Sequence, residues 1–185
     1  STSLQISNSI FDGNYLESNS NRNGAAIFAG GGTSITIDST SFTNHSTSIN
    51  GGTIYTSGDI NILNSSFASN STSDDGGTIW TTGNISMTNS TIDNSSSGDE
   101  GGAIYGESYD TFNITSSSIT NSSAGGRGGA IWMGDHSKIH MVDSHIDNNT
   151  SGNQGGGIYF EQNYPDTLIL EQSTLDNNLS ALEGG

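Results

Sequence analysis

Gly128-Gly129-Ala130-Ile131-Trp132 is one copy of a five-residue block that recurs along the chain and decides its fold. The block joins small residues to an isoleucine and an aromatic residue. Its copies begin at Gly24, Gly51, Gly76, Gly101, Gly128 and Gly155, and a last glycine pair begins at Gly184. Successive copies begin 25 to 29 residues apart. Recurrence at such a period is typical of a solenoid, in which one supersecondary unit stacks on copies of itself.

A second pattern precedes each block and has the two-residue period of a β-strand. Two apolar residues flank one variable residue, and a third apolar residue follows five positions later, with Ser or Thr two positions before it. Alternation over such short stretches favours strands over helices. The copies are Leu4/Ile6/Phe11, Ile35/Ile37/Phe42, Ile60/Ile62/Phe67, Ile85/Met87/Ile92, Phe112/Ile114/Ile119, Ile139/Met141/Ile146 and Leu168/Leu170/Leu175.

Three short strands in each repeat predict an all-β chain folded as a parallel β-helix of about seven coils of 25–29 residues. The coils should stack about 4.8 Å apart, with the isoleucine and apolar columns inside. The handedness of parallel crossovers favours a right-handed β-helix. We expect residues 1–185 to form a single segment that is uncapped at both ends and belongs to a longer chain or fibre.

The repeats differ in length mainly between the aromatic residue and the next strand. Insertions belong in loops, so this corner should carry the protruding loops. The first repeat also has a predicted four-residue insertion within 15–23.

Two motifs carry a resemblance to a known family. The sequence GGAI at 101–104 and 128–131, with FxxN at 11–14 and 67–70, resembles the repeats of chlamydial polymorphic membrane proteins and similar repeat proteins of protists and algae. This resemblance implies a right-handed parallel β-helix and a surface or adhesin role.

The charge balance excludes some partners. The formal net charge is −16, and Arg22, Arg127 and Lys138 are the fixed cations. Such a chain is repelled by nucleic acid and by anionic lipid. No apolar run approaches the roughly 18 residues of a membrane-spanning helix.

Asn-x-Ser/Thr sequons are more frequent than composition explains, which predicts N-glycosylation and secretion. Asparagine also suits turns and stacked ladders, so Asn70, Asn149 and Asn178 could instead be buried at a corner shared with Asn14. The sequon asparagines are Asn44, Asn64, Asn70, Asn84, Asn89, Asn94, Asn113, Asn121, Asn148, Asn149 and Asn178.

The aromatic residue of each block is the candidate binding surface. If the preceding isoleucine points inward, the aromatic residue points outward, and the column becomes an exposed ladder that can stack on sugars or on a neighbouring filament. The alternative is that the glycine pair shifts the pleat and turns the rings inward. The column comprises Phe28, Tyr55, Trp80, Tyr105, Trp132 and Tyr159.

Catalytic and metal-binding patterns are weak. The acidic pairs Asp74-Asp75 and Asp99-Glu100 fall at the same corner of adjacent repeats. Stacked carboxylates at this corner could hold calcium. Alternatively, they form a solvated turn in which the charge of Arg127 compensates that of Glu100. Lyases and glycosidases share this fold but need a basic residue or clustered carboxylates, so we expect no enzyme. We also expect no other cofactor. The histidines are expected to be solvated rather than metal ligands: His45, His136, His140 and His145.

The sequence therefore predicts a structural extracellular glycoprotein that self-associates, end to end or laterally, in a cell-surface or secreted fibre. The alternatives are an adhesin-type module that binds carbohydrate or protein through the aromatic column, a carbohydrate-binding phage fibre and, less favoured, a polysaccharide lyase or hydrolase.

Overall fold

The computed structural model describes residues 2–17, 23–182 and 184, and it shows short parallel strands wound into a β-helix. Four parallel sheets, named A to D in chain order, run along the solenoid. Each of the first six coils contributes one strand to each sheet, and equivalent strands of adjacent coils pair with one another.

The strands have the following bounds. Sheet A contains β1 (Ser3–Ser7), β5 (Ser34–Asp38), β9 (Ile60–Leu63), β13 (Ile85–Thr88), β17 (Thr111–Thr115), β21 (Lys138–Val142) and β25 (Thr167–Glu171). Sheet B contains β2 (Ile10–Asp12), β6 (Ser41–Thr43), β10 (Ser66–Ala68), β14 (Thr91–Asp93), β18 (Ser118–Thr120), β22 (His145–Asp147) and β26 (Thr174–Asp176). Sheet C contains β3 (Tyr15–Leu16), β7 (Ser46–Thr47), β11 (Ser71–Thr72), β15 (Ser96–Ser97), β19 (Ser123–Ala124), β23 (Thr150–Ser151) and β27 (Leu179–Ser180). Sheet D contains β4 (Ile27–Ala29), β8 (Ile54–Thr56), β12 (Ile79–Thr81), β16 (Ile104–Gly106), β20 (Ile131–Met133) and β24 (Ile158–Phe160).

These strands form six coils that contain all four sheets and a seventh that contains three, which confirms the predicted parallel β-helix. The right-handed sense stays a prediction. The sequence analysis expected three strands in each repeat and missed the two-residue strands of sheet C. Their inward residues are mostly Thr, Ser or Ala rather than large apolar residues, so they carry no hydrophobic alternation.

The core is built from the predicted columns. In each coil, sheet A contributes two apolar side chains to the core and sheet B contributes one. The isoleucine of the glycine block contributes a fourth, from sheet D. Phe11, Phe42 and Phe67 stack along the axis, with ring centroids 4.6 and 4.9 Å apart. Burying such columns provides the main driving force for folding, at about 25 cal/mol per Å² of apolar surface.

Hydroxyl groups extend this order along the corner between sheets A and B. The hydroxyl of Ser90 donates to the carbonyl of Thr88 at 2.8 Å and accepts the backbone N–H of Ser65 at 3.0 Å. The same hydrogen bond recurs along the described chain. In each case the Ser or Thr two positions before the inward apolar residue of sheet B accepts a backbone N–H of the preceding coil. The acceptors are Thr40, Ser65, Ser90, Ser117, Ser144 and Ser173.

The glycine pair turns the chain from sheet C into sheet D. Gly76 has a φ of +69°, in the left-handed region where a side chain is disfavoured. A Cβ on Gly77 would overlap the backbone carbonyls of Ser96 and Gly102. The first glycine therefore makes the turn, and the second lets adjacent coils approach.

The predicted insertion in the first coil is consistent with the strand register. Leu16 pairs with Thr47 and Ile27 with Ile54, so the first coil has four more residues than the second between these positions. Part of the insertion, together with Arg22, lies outside the described residues.

Candidate functional site

The aromatic column lies on the outer face of sheet D, because its members alternate with the buried isoleucines and are absent from the core cluster of the described chain. It is nevertheless not the exposed ladder that was expected. Trp80 is only 8% exposed and Trp132 only 9%, whereas Phe28 is 62% exposed.

Stacking between coils explains this burial. Tyr55 and Trp80 stack at 4.4 Å between ring centroids, Trp80 and Tyr105 at 5.7 Å, and Tyr105 and Trp132 at 4.4 Å, with planes within 7° of parallel. The ring faces are therefore turned along the solenoid axis and occupied by neighbouring rings. A sugar stacks on a ring face, and these faces are already used to join coils.

Charged side chains border the column. The guanidinium of Arg127 lies 5.1 Å from the ring centre of Tyr159, and its Nη1 lies 3.8 Å from Glu161 and 4.0 Å from Glu100. The predicted pairing of Arg127 with Glu100 is thus confirmed. Burial raises the pKa of Tyr105, and the carboxylates of Asp75, Glu107, Glu100 and Glu161 raise it further.

The acidic corner before the glycine pair is mainly a backbone-binding ladder. The carboxylate of Asp75 accepts the N–H of Glu100 at 3.0 Å, and the carboxylate of Glu100 accepts the N–H of Arg127 at 2.8 Å. Oxygen atoms of Asp74, Asp75 and Asp99 lie within 4.8 Å of one another, a group that omits Glu100. Burial, with the charges of Asp74, Asp99 and Glu107, raises the pKa of Asp75 to about 6. Calcium at this corner stays the alternative that the sequence left open beside a solvated turn.

The four histidines occupy four different environments, and the expectation that all are solvated is wrong for His45. His45 is buried at the corner between sheets B and C, where its Nδ1 accepts the N–H of Asn14 at 3.0 Å. Burial lowers its pKa. The Nε2 of His140 lies 3.0 Å from Glu171, and the Nδ1 of His145 lies 2.9 Å from the hydroxyl of Thr174. His136 stacks between two tyrosines, as described below.

Most sequon asparagines lie on the surface at two turns of the coil. Several of them adopt a positive φ, in the left-handed region that asparagine enters more readily than most residue types do. Turn geometry by itself therefore explains part of the excess of sequons. The exposed acceptors are Asn44, Asn64, Asn84, Asn89, Asn94, Asn113, Asn121 and Asn148. Those with a positive φ are Asn44, Asn64, Asn89, Asn94, Asn121 and Asn148.

Asn70 and Asn149 are interior, as the alternative interpretation of this corner held. The amide of Asn70 donates to the carbonyl of Phe42 at 3.4 Å, and its side-chain oxygen accepts the N–H of His45 at 3.0 Å. The amide of Asn149 donates to the carbonyl of Ile119 at 3.1 Å. A glycan on either nitrogen would displace these buried bonds. Asn178 is half-buried and donates to the carbonyl of Ile146 at 2.7 Å.

The corner between sheets D and A carries the protruding turns, as predicted from repeat length. The strand register shows the difference in length between two adjacent coils: the turn of one coil comprises residues 82–84, and that of the next comprises 107–111. The longer turns carry a second aromatic stack: Tyr109 lies 4.7 Å from His136 and His136 lies 4.4 Å from Tyr164, measured between ring centroids. Sequence reasoning missed this stack, because the turns differ in length and show no repeated motif. The sequence feature that pointed to it is one aromatic ring in each of the last three turns between sheets D and A.

A buried carboxyl group lies at the base of this corner. Asp110 is only 5% exposed, and its Oδ2 has no hydrogen-bond partner in the described part of the chain. Burial raises the pKa of Asp110 to about 7, with further contributions from the charges of Glu107 and Asp59.

Comparison with known proteins supports the resemblance seen in the sequence. Residues 143–161 match the model of the Chlamydia polymorphic membrane protein repeat. No match was found among curated proteins or among solved structures. The matched segment runs from the corner after sheet A to the end of sheet D in one coil.

The fold explains why both family motifs recur. In the FxxN copy at 67–70, Phe67 fills the core beneath sheet B and Asn70 enters the buried corner ladder. The glycines of GGAI form the tight turn, and its isoleucine fills the core beneath sheet D. The resemblance therefore rests on residues that build the coil. No helix in the described residues is long and apolar enough to span a membrane.

Proposed function

We propose that this chain is a rod-like structural segment of an extracellular, N-glycosylated surface protein. The observation that carries the proposal is the unbroken register between coils, in which core, hydroxyl and aromatic columns all continue along one axis. Such columns make each coil a template for the next and give a stiff spacer. The surface role of the family named in the matching repeat adds support for an extracellular location.

Assembly into a fibre, end to end or laterally, belongs to the same proposal. A rod of stacked coils can lengthen a fibre through the same strand pairing that joins its own coils. Its acidic surface favours partners of opposite charge or screening by cations.

Catalysis is not part of the proposal. The carboxylates of Asp75 and Glu100, the strongest candidates, accept backbone N–H groups of the following coil. Arg127, the central basic residue, is engaged by Glu100, Glu161 and the ring of Tyr159. An adhesin role for the aromatic column is also not proposed, because the rings of Tyr55, Trp80 and Tyr105 are stacked on neighbours on both sides and Arg127 covers Tyr159.

Glycopeptide mass spectrometry on native material tests the extracellular part. Glycans should be found among the exposed turn asparagines, such as Asn94 and Asn121, and be absent from the buried Asn70 and Asn149. Asparagines that are bare at every site would contradict the glycoprotein proposal. Glycans on Asn70 or Asn149 would contradict the structure of the corner ladder.

Excision of one repeat tests the rod. Removing residues 76–100 joins Asp75 to Gly101, which takes the structural place of Gly76. The shortened chain should keep its β-sheet circular dichroism and lose about 4.8 Å of length in small-angle X-ray scattering. Removing residues 51–75 should give the same result, and the loss of the fold in both variants would contradict a modular rod.

A further inference from the structure

The turns between sheets D and A become longer at residues 107–111, and the ring of Tyr109 lies where the longer turns begin. Tyr109 is 73% exposed although His136 covers one face of its ring, so the other face is open to solvent. The open face looks along the axis over the shorter preceding turns, 57–59 and 82–84. We call the space above these two turns the notch.

The two short turns pack closely on each other, with buried glycines at their centres and exposed polar side chains beside them. Gly58 and Gly83 lie at equivalent positions in the two short turns, and a Cβ on Gly83 would overlap the backbone of Gly58 and Asp59. On the far side, the first turn is again longer, with 30–34 aligned to 57–59. The long turns that border the notch are three coils apart, about 14 Å, which leaves room for a bound side chain.

Carboxyl groups surround the notch. Asp59 and Glu107 are both exposed, and each is close enough to Asp110 for its charge to act on that buried group. The Oδ1 of Asp59 accepts the side-chain amide of Asn84 at 3.0 Å, which fixes its position on the floor. None of these three carboxyl groups belongs to an ion pair among the described residues. Asp110 follows Tyr109 in the chain, and its buried Oδ2 has no hydrogen-bond partner among the described residues, which is a second sign that this corner lacks donors.

The chain itself shows which chemistry suits this combination. Arg127 places its guanidinium 5.1 Å from the ring centre of Tyr159 while it contacts Glu100 and Glu161. One tyrosine ring and two carboxylates thus hold one cation. In the notch, Tyr109, Glu107 and Asp59 supply the same groups, and no cation of the described chain pairs with them. Lys138, on the strand after the next long turn, belongs to no ion pair with them.

We propose that the notch binds a guanidinium or ammonium side chain from a basic segment of another protein, stacked on the open face of Tyr109 and paired with Glu107 and Asp59. This adds a specific docking site to the proposed structural role and does not depend on it. Cation–π contact and charge pairing reinforce each other here, because both favour a flat cation such as guanidinium.

The test measures binding of a fluorescein-labelled peptide of alternating glycine and arginine by fluorescence anisotropy. A peptide with citrulline in place of arginine keeps the shape and removes the charge. Tyr109→Leu should weaken arginine-peptide binding about 3- to 30-fold. The matched control Tyr15→Leu removes a tyrosine that is 68% exposed in strand β3 of sheet C and should leave binding unchanged.

A second pair of variants separates the site from general attraction to an acidic protein. Glu107→Gln and Asp99→Asn each remove one exposed negative charge, and Asp99 lies at the other acidic corner. Glu107→Gln should weaken binding about threefold or more, whereas Asp99→Asn should have little effect. Circular dichroism checks that each variant is folded.

Three outcomes would overturn the proposal. Equal losses from Glu107→Gln and Asp99→Asn would show that only net charge attracts the peptide. Equal effects of Tyr109→Leu and Tyr15→Leu would remove the ring from the site. Displacement of the peptide by calcium chloride, with binding insensitive to Tyr109→Leu, would assign the carboxylates to a metal ion.

Discussion

Replacing Asp110 by asparagine should stabilise the protein at neutral and alkaline pH and destabilise it in acid. The pKa of Asp110 is about 7 in the folded chain against an ordinary value of 3.8, chiefly because the group is buried. Between these two values the folded chain keeps a proton that the unfolded chain releases, so stability falls as pH rises through this range. At 1.36 kcal/mol for each pKa unit, the full cost of ionisation is about 4 kcal/mol.

Asparagine removes this cost but places an amide donor where Oδ2 has no partner, at about 1–3 kcal/mol. We therefore expect the variant to be more stable than the parent by about 1–3 kcal/mol at pH above 8. At pH below 4 Asp110 is protonated and only the cost of the unpaired amide remains, so the variant should be less stable by about 1–3 kcal/mol. Urea denaturation of both proteins across this pH range measures the difference. Asp143→Asn, at an exposed position, is the control. A stability difference that does not change with pH would refute the reasoning.

Three further predictions follow from the corners. Gly77→Ala should cost several kcal/mol or abolish folding, because its Cβ would overlap the backbone of the next coil. Its control is Gly13→Ala, where a Cβ meets open space but φ is positive, and the cost should be about 1 kcal/mol. Thermal denaturation measures both. Ser90→Ala should cost about 1–3 kcal/mol in urea denaturation by leaving a buried N–H unpaired, and the exposed Ser86→Ala should be near neutral. The pKa of His45 is lowered in the folded chain, so acidification below about pH 6.5 should destabilise the protein. His45→Asn should make the melting temperature less dependent on pH. An unchanged pH profile of the melting temperature would contradict the role given to the buried His45.

The repeat pattern predicted the architecture because each core position recurs in every coil. Ile54, Ile79 and Ile104 appear at the same place in successive blocks, and the structure stacks them in register. The variable corner was also identified from repeat length alone. The sheet C strands were missed because Ser71-Thr72 and their equivalents have no apolar alternation, and their inward side chains pack as small polar groups.

The candidate site was predicted less well for a physical reason. Alternation correctly assigned the outer face to Trp80 and Trp132, but it carries no information on the distance between rings of adjacent coils. Inter-coil stacking at about the strand spacing then buries rings that face outward. The buried His45 was missed because its column otherwise carries Asn or Ser, so the position looked polar and solvated. The stack at Tyr109 depends on turn geometry, which repeats do not specify.

The uniform pairing distance along the chain also bears on how it is made. Ile60 pairs with Ile85, 25 residues away, and the longest such separation, Ser3 to Ser34, is 31 residues. No described strand must wait for a partner from a distant part of the sequence. Each newly available repeat can dock on the coil before it, so the cost of loop closure stays constant however many coils are added. A chain emerging from a ribosome or threaded through a secretion channel can therefore fold progressively, and folding on the far side would bias its movement outward.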